Sequence, residues 1–224
     1  MSKPKVLHLI DDTTAGGVTR VVDHVVTSPE LAQNANHHLR VIDGIRADVR
    51  CPWADVIVSH LSVNWRNLPL LLALKLGNPQ ARLIHVEHSY TEAFVRLNVQ
   101  RKARFYLLLK VAYRLFDKVA AVSQAQLEWL SRIGAVGARR LTLIRSFVNL
   151  SDFEALNPAK GSIRVIGAIG RLEHQKGFDN LIRDFRKSNR SDLELHIYGT
   201  GSEKETLKAL AQNDSRIVFK GFAK

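Results

Sequence analysis

A single cysteine, Cys51, stands among 224 residues, and aromatic side chains make up only 7%. One thiol excludes a disulfide framework and any zinc site built on cysteines, and it suits a reducing compartment. Long apolar runs are also missing. The longest candidates, Leu68–Leu74 and Phe105–Leu109, are each closed by a lysine, at Lys75 and Lys110. Both fall well short of the roughly 18 residues a membrane-spanning helix needs. At the amino terminus only Val6–Ile10 is apolar, with His8 inside it and Asp11 and Asp12 behind it, so no signal peptide is expected. With 13 glycines and 6 prolines, collagenous and low-complexity readings are excluded as well.

Acidic residues are the other shortage: 21 Asp and Glu face 33 Lys and Arg, a formal charge of +12. The excess is spread along the chain and forms no basic tail. Such a balance favours an anionic partner. No nucleic-acid-binding module is recognisable, which leaves phosphorylated ligands and anionic membrane as the expected partners. The expected setting is cytoplasmic, with a peripheral place on the inner face of the plasma membrane as its extension.

Apolar β-type runs alternate with helical patterns throughout. Strands are expected at Val6–Ile10, His38–Ile42, Val56–Ser59, Leu83–Glu87, Val119–Val122, Leu141–Ile144, Arg164–Ile169, Leu193–Tyr198 and Ile217–Phe219. Helical stretches lie near 18–28, 65–76, 91–116, 123–133, 177–188 and 203–212. This alternation predicts an α/β chain with parallel sheets covered by helices. A polar stretch at Asn149–Ser162, carrying Pro158 and Gly161, reads as a linker. It divides the chain into a domain at 1–155 and a smaller one at 156–224 that restarts the strand, glycine loop and helix scheme and looks incomplete.

In open parallel sheets ligands bind beyond the carboxyl ends of the strands, so the loops there carry the candidates. After the first strand come Gly16 and Gly17, then a helix whose free N–H groups would suit a diphosphate; a plain turn explains the same pair. The loop is neither a dinucleotide fingerprint nor a P-loop, which weakens an NAD-dependent oxidoreductase. His88 and His60 each end a strand. His85 and Glu87 share one strand face and Val86 and His88 the other, so His85 and His88 do not pair, and no metal is expected. Ser123 reads as a helix cap completed by Gln126. In the second domain, Arg171 and Lys176 sit in the loop after a strand, a forked and a mobile cation suited to neighbouring phosphates. Two solvated loop cations are the plain alternative. Gly199 and Gly201 form a further glycine loop before a helix.

The stretch 91–116 reads as one helix with Phe94, Leu97, Phe105, Leu108, Leu109, Ala112, Leu115 and Phe116 on one face and Arg96, Arg104, Lys110, Arg114 and Lys118 beside it. Either it is a core helix with a solvated basic flank, or the flank docks on anionic lipid.

Four segments together, GGVTRVVDHVV, AVSQAQLEWL, GAIGRLEHQKGFDNLI and HIYGTGSEKETLKAL, resemble the glycosyltransferase family 4 (group 1) enzymes of GT-B fold. The resemblance implies two Rossmann-like domains and transfer of a hexosyl group, with retention of configuration, from a nucleotide-sugar (UDP- or GDP-linked). The acceptor would be a sugar or lipid-linked molecule in polysaccharide or glycolipid assembly. No cofactor is implied. Gly16 and Gly17 would contact the donor diphosphate through backbone N–H groups. Arg171 and Lys176 would neutralise the leaving diphosphate, His88 would contact the donor sugar, and Gly199 and Gly201 would lie near the nucleotide. The family's pair of glutamates, separated by seven intervening residues, would lie after Lys224. The resemblance therefore implies a chain inactive by itself, or a non-catalytic subunit of a split transferase.

Overall fold

Short runs rich in Val, Ile and Leu become the strands of two sheets. In the first, β1 (Lys5–Ile10), β2 (Asn36–Val41), β3 (Val56–Ser59), β4 (Arg82–Glu87), β5 (Lys118–Ala121) and β6 (Leu141–Leu143) lie in the order β2-β1-β3-β4-β5-β6. In the second, β7 (Val165–Ile169), β8 (Glu194–Tyr198) and β9 (Ile217–Gly221) follow chain order. Every neighbouring pair is parallel, as the alternating pattern predicts. The computed structural model describes residues 2–14, 16–44, 47–145 and 161–222. Of the expected linker Asn149–Ser162, residues 149–160 lie outside the described residues. The chain divides into two units, Met1–Glu154 and Ala155–Lys224.

In the first unit the chain runs outward from β1 to β2, then returns to β3 on the other side of β1. That reversal is a topological switch point, the place where open parallel sheets generally bind their ligands. Helices α1 (Gly17–Thr27), α2 (Leu68–Gly77), α3 (Glu92–Asn98), α4 (Lys102–Arg114) and α5 (Gln124–Arg132) connect the strands. Side-chain alternation gives the sheet two buried faces. Leu7, Leu9, Ile57, Leu83, Val119 and Ala121 pack with Leu71 and Leu74 of α2, Leu109 and Tyr113 of α4, and Trp129 of α5. Val6, Val58, Val86 and Ala120 line the other face. Truncating one of these fully buried leucines to Ala costs about 2–5 kcal/mol.

The stretch expected as one helix over 91–116 is two. Thr91 caps α3, its Oγ1 accepting from Phe94 N–H at 3.1 Å. At the other end the Asn98 amide donates to the Phe94 carbonyl, and Val99 turns extended at φ −110°, ψ 108°. The apolar periodicity survives the break because Phe94 and Phe105, on different helices, both pack on Tyr90, at 5.4 and 4.9 Å between ring centroids. Leu97, expected on the core face, is 65% exposed.

In the second unit, α6 (Phe178–Lys187) and α7 (Lys204–Ala211) pack on one sheet face. Phe178, Ile182 and Phe185 of α6 and Leu207 and Ala211 of α7 bury Leu195, Ile197 and Ile217. Val165 and Ile169, in register with Glu194 and Tyr198, have the opposite parity and are 47% and 76% exposed.

Candidate functional site

At the carboxyl end of the first sheet, side chains hold the loops in place. Asp11, just past β1, accepts the Ser62 N–H at 2.9 Å and the Asn67 amide at 3.4 Å, tying the loops after β1 and β3 together. Gly16 caps α1 with an extended backbone and no side-chain partner, and α1 has no acidic residue in its first turn. The positive end of its dipole is therefore not offset by a carboxylate of its own. A Cβ on Gly17 would meet nothing within 4 Å, and one on Gly16 only the Thr14 carbonyl at 3.7 Å. Neither glycine is therefore demanded by close packing at this point.

Glu87 is the anchor beneath His88. Its Oε1 accepts the N–H groups of Ser89 (2.7 Å) and Tyr90 (2.9 Å), and its Oε2 accepts the Tyr113 hydroxyl (2.6 Å). His85 Nε2 stands 3.5 Å from the same carboxylate, as their shared strand face predicts. Burial pushes this carboxyl up, but hydrogen bonds from His85, Tyr113 and the backbone outweigh it and leave it below its ordinary value. The turn that carries His88 is thus fixed from below. Tyr90 extends the frame, its hydroxyl donating to the Val63 carbonyl at 2.6 Å.

His88 Nε2 meets His60 Nδ1 at 2.9 Å, so the two strand-ending histidines are partners. Burial, with His85 nearby and Glu87 opposing, holds the His88 imidazole down at about 4. Burial and the neighbouring His88, His8 and His85 hold His60 at about 2. Both rings are neutral at pH 7. Behind them lie two histidines that the sequence pattern does not single out: His60 Nε2 meets His8 Nδ1 at 3.2 Å, and His8 Nε2 meets His37 Nδ1 at 3.0 Å. Only strand register could have revealed this.

Ser123 caps α5 as expected, accepting from Gln126 N–H at 3.2 Å. The Gln126 side chain departs from a strict capping box. It accepts from Val122 N–H and donates to the Tyr90 carbonyl, joining the loops after β4 and β5.

In the second unit the loops after β7 and β8 run side by side. Leu172 N–H donates to Thr200 O at 2.9 Å, and Glu203 N–H returns to Leu172 O at 3.0 Å. Ser202 Oγ adds a bond to Glu173 at 3.0 Å. Gly199, at φ +143°, and Gly201 are obligatory here, because a Cβ on either would collide with the backbone of Gly170 or Leu172. Their part is structural support for the loop that carries Arg171. Arg171 and Lys176 are both exposed, and neither has an ion pair or side-chain hydrogen bond among the described residues. Directly after Lys176, Gly177 at φ +70° turns the chain into α6. Arg171, Lys176, Gly199 and Gly201 therefore share one loop cluster, while Gly16, Gly17 and His88 belong to the first unit.

Among the described residues no group of three or more His, Cys, Asp and Glu side chains is arranged to hold a metal ion. No described helix is long and apolar enough to cross a membrane.

Residues 152–218 match the family model described as glycosyl transferases group 1. No curated protein matches the chain. Solved structures do. The lipopolysaccharide outer core galactosyltransferase WaaB, in its apo form, superposes with TM-score 0.56 at 12% identity, covering 98% of this chain and 68% of WaaB. S. aureus TarM, solved as a mutant with fondaparinux, α-GlcNAc-glycerol and UDP, gives TM-score 0.52 at 19% identity over 75% of this chain and 33% of TarM. A UDP-N-acetylglucosamine 2-epimerase from Rickettsia bellii gives 0.51 at 10% identity, covering 97% and 68%. The chain thus spans about a third of TarM. Its fold is α/β and GT-B-like, with Rossmann-like units built on parallel sheets, and the same fold serves both transferases and an epimerase among these structures.

Proposed function

We propose that this chain is a glycosyltransferase of the group 1 type, using a nucleotide-sugar donor and a sugar or lipid-linked acceptor. The observation that supports it best is the loop after β7. Arg171 and Lys176 stand there exposed and, among the described residues, without side-chain partners, inside the segment that matches the family model, on a backbone held by glycines that tolerate no side chain. Cations left unpaired on a rigid support suit a ligand that brings its own negative charge.

In this reading Arg171 and Lys176 bind the donor diphosphate and stabilise the charge that grows on it as the glycosyl bond breaks, an electrostatic effect worth several kcal/mol. Gly16 and Gly17 contribute backbone N–H groups at the positive end of α1. His88, neutral and fixed by Glu87 and His60, contacts the sugar. Gly199 and Gly201 support the nucleotide loop. Transfer proceeds with retention: the bond from the anomeric carbon to the phosphate oxygen breaks, the acceptor oxygen bonds on the same face, and the acceptor proton ends on the departing phosphate. No metal or cofactor enters the scheme. The domains are drawn at 1–155 and 156–224.

A membrane-peripheral, cytoplasmic place in polysaccharide assembly is part of the proposal. Along α4, Arg104, Leu107, Val111 and Arg114 are all exposed, an apolar centre flanked by cations that suits an anionic lipid surface. A second reading, a non-catalytic subunit completed by another chain, is favoured by the bare apolar residues Val165 and Ile169 on the second sheet. Calorimetry with UDP- and GDP-sugars on the chain and on Arg171→Ala tests the donor assignment. Co-purification with a second chain separates the two readings.

A further inference from the structure

Parallel register turns four histidines, scattered in sequence, into one diagonal. His37 on β2 is level with Val6, two residues before His8 on β1; His8 is level with Val58, two residues before His60. Val58 is level in turn with Ile84 on β4, and His60 and His88 lie two and four residues beyond that pair. Each step therefore moves one strand across and two residues along, and all four side chains share a face. The rings meet edge to edge: nitrogens approach to 3.0, 3.2 and 2.9 Å along the row, while centroids remain 5.3, 5.5 and 5.2 Å apart. Every link joins an Nδ1 to an Nε2.

Burial sets the charge state. His8 is held at about 4 by burial and by His37, and His37 is lowered by burial and His38. His85 and Glu87, on β4, act on the other end. All four rings are neutral at pH 7, and a neutral imidazole carries one donor and one acceptor. A row of such rings has only two consistent arrangements, every Nε2 donating or every Nδ1 donating. The tautomer of one ring then fixes the others. The free ends are Nδ1 of His88, at the carboxyl end of the sheet, and Nε2 of His37, on the half-buried edge strand β2. Neither has a hydrogen-bond partner among the described residues.

We propose that His37, His8, His60 and His88 form a reversible proton relay between the carboxyl end of the first sheet and solvent at β2. His88 is the ring at the site, and the other three are positioning residues that act through it. At rest each ring carries its proton on Nε2. When an O–H group gives its proton to His88 Nδ1, the His88 Nε2 proton passes to His60 Nδ1, the His60 Nε2 proton to His8 Nδ1, and the His8 Nε2 proton to His37 Nδ1. The His37 Nε2 proton leaves to water. All four rings end neutral, now protonated on Nδ1. The reverse passage returns a proton through His88 to an acceptor such as a departing phosphate oxygen and restores the resting state. The relay lets a buried histidine act as a base without becoming an imidazolium, a form that its burial opposes. It rests on the glycosyl-transfer reading only for which hydroxyl and which phosphate exchange protons with His88.

Imidazole 15N NMR of the whole 224-residue chain at pH 7 tests it, with no donor or acceptor present. The expected spectrum shows four neutral rings in one tautomeric sense, with N–H···N scalar couplings along the row. In His37→Phe the row loses its outer end, and the His88 nitrogens should shift toward mixed tautomers although His88 lies three rings away. His37→Gln keeps an acceptor for His8 but cannot pass a proton on. It should retain the resting His88 spectrum and slow solvent exchange of the His88 ring proton several-fold. A folded His37→Phe with unchanged His88 resonances overturns the relay. Should His37→Phe not fold, an unchanged exchange rate in His37→Gln overturns it. Because no ligand is used, failure here leaves the donor assignment standing, and failure of donor binding leaves the relay standing.

Discussion

The carbonyl oxygen of Gly170 occupies the space where a Cβ on residue 199 would stand. That contact locks the loop after β8 against the loop carrying Arg171, and it separates glycines the fold needs from glycines it only tolerates.

Gly199→Ala should cost about 2 kcal/mol or more, since it adds a collision to a φ of +143°. Gly17→Ala should be neutral or stabilise by up to about 1 kcal/mol, because the helix accepts Ala there. Its effect belongs in ligand affinity. Urea unfolding of both variants checks the contrast, and equal losses of stability would contradict it.

Glu87 joins β4, the turn after it and α4 through four polar partners. Glu87→Ala leaves buried donors without an acceptor and should destabilise by about 3–5 kcal/mol. Glu87→Gln keeps one acceptor oxygen and should lose less. Denaturant midpoints measure both, and a near-neutral Glu87→Ala would remove Glu87 from the frame.

Acid should weaken the fold before carboxylates titrate. His8 and His88 sit at about 4 and His60 at about 2 in the folded chain, against about 6.5 when unfolded. Below pH 6.5 the unfolded state binds protons that the folded state refuses, so stability is full above that pH and falls as pH drops. Each such ring adds about 1.4 kcal/mol per pH unit to the slope. Unfolding free energies between pH 7.5 and 4.5 check this, and a flat profile would contradict it.

Anionic vesicles should bind the chain through α4. Replacing Lys110 and Arg114 with Gln removes two cations worth about 1 kcal/mol each, so partitioning should drop about 30-fold. Co-sedimentation measures it, and unchanged binding would end the membrane assignment.

Much of this fold was legible in the sequence because buried strands and amphipathic helices are written in local periodicity. The strand at Val56–Ser59 was placed to the residue, the other strand ends moved by up to two residues, and the helix expected from residue 65 starts at Leu68. The break at Val99 was not legible, since Phe94 and Phe105 keep helical spacing across it. Arg171 and Lys176 were visible as loop cations after a strand. The supporting role of Gly199 and Gly201 was not, because it depends on a neighbouring loop's carbonyl groups. The histidine row was hidden for the same kind of reason. His8 and His37 look like ordinary strand residues until register sets them beside His60 and His88.

Donor binding through Arg171 is the claim on which the functional account stands, and titration calorimetry with UDP- and GDP-sugars tests it most directly. One of these donors should bind the chain, and Arg171→Ala, which loses charge-assisted bonds worth about 1.5–3 kcal/mol, should bind it about 10- to 100-fold more weakly while remaining folded. Equal affinity in the two proteins, or no binding of either donor class, would contradict the account.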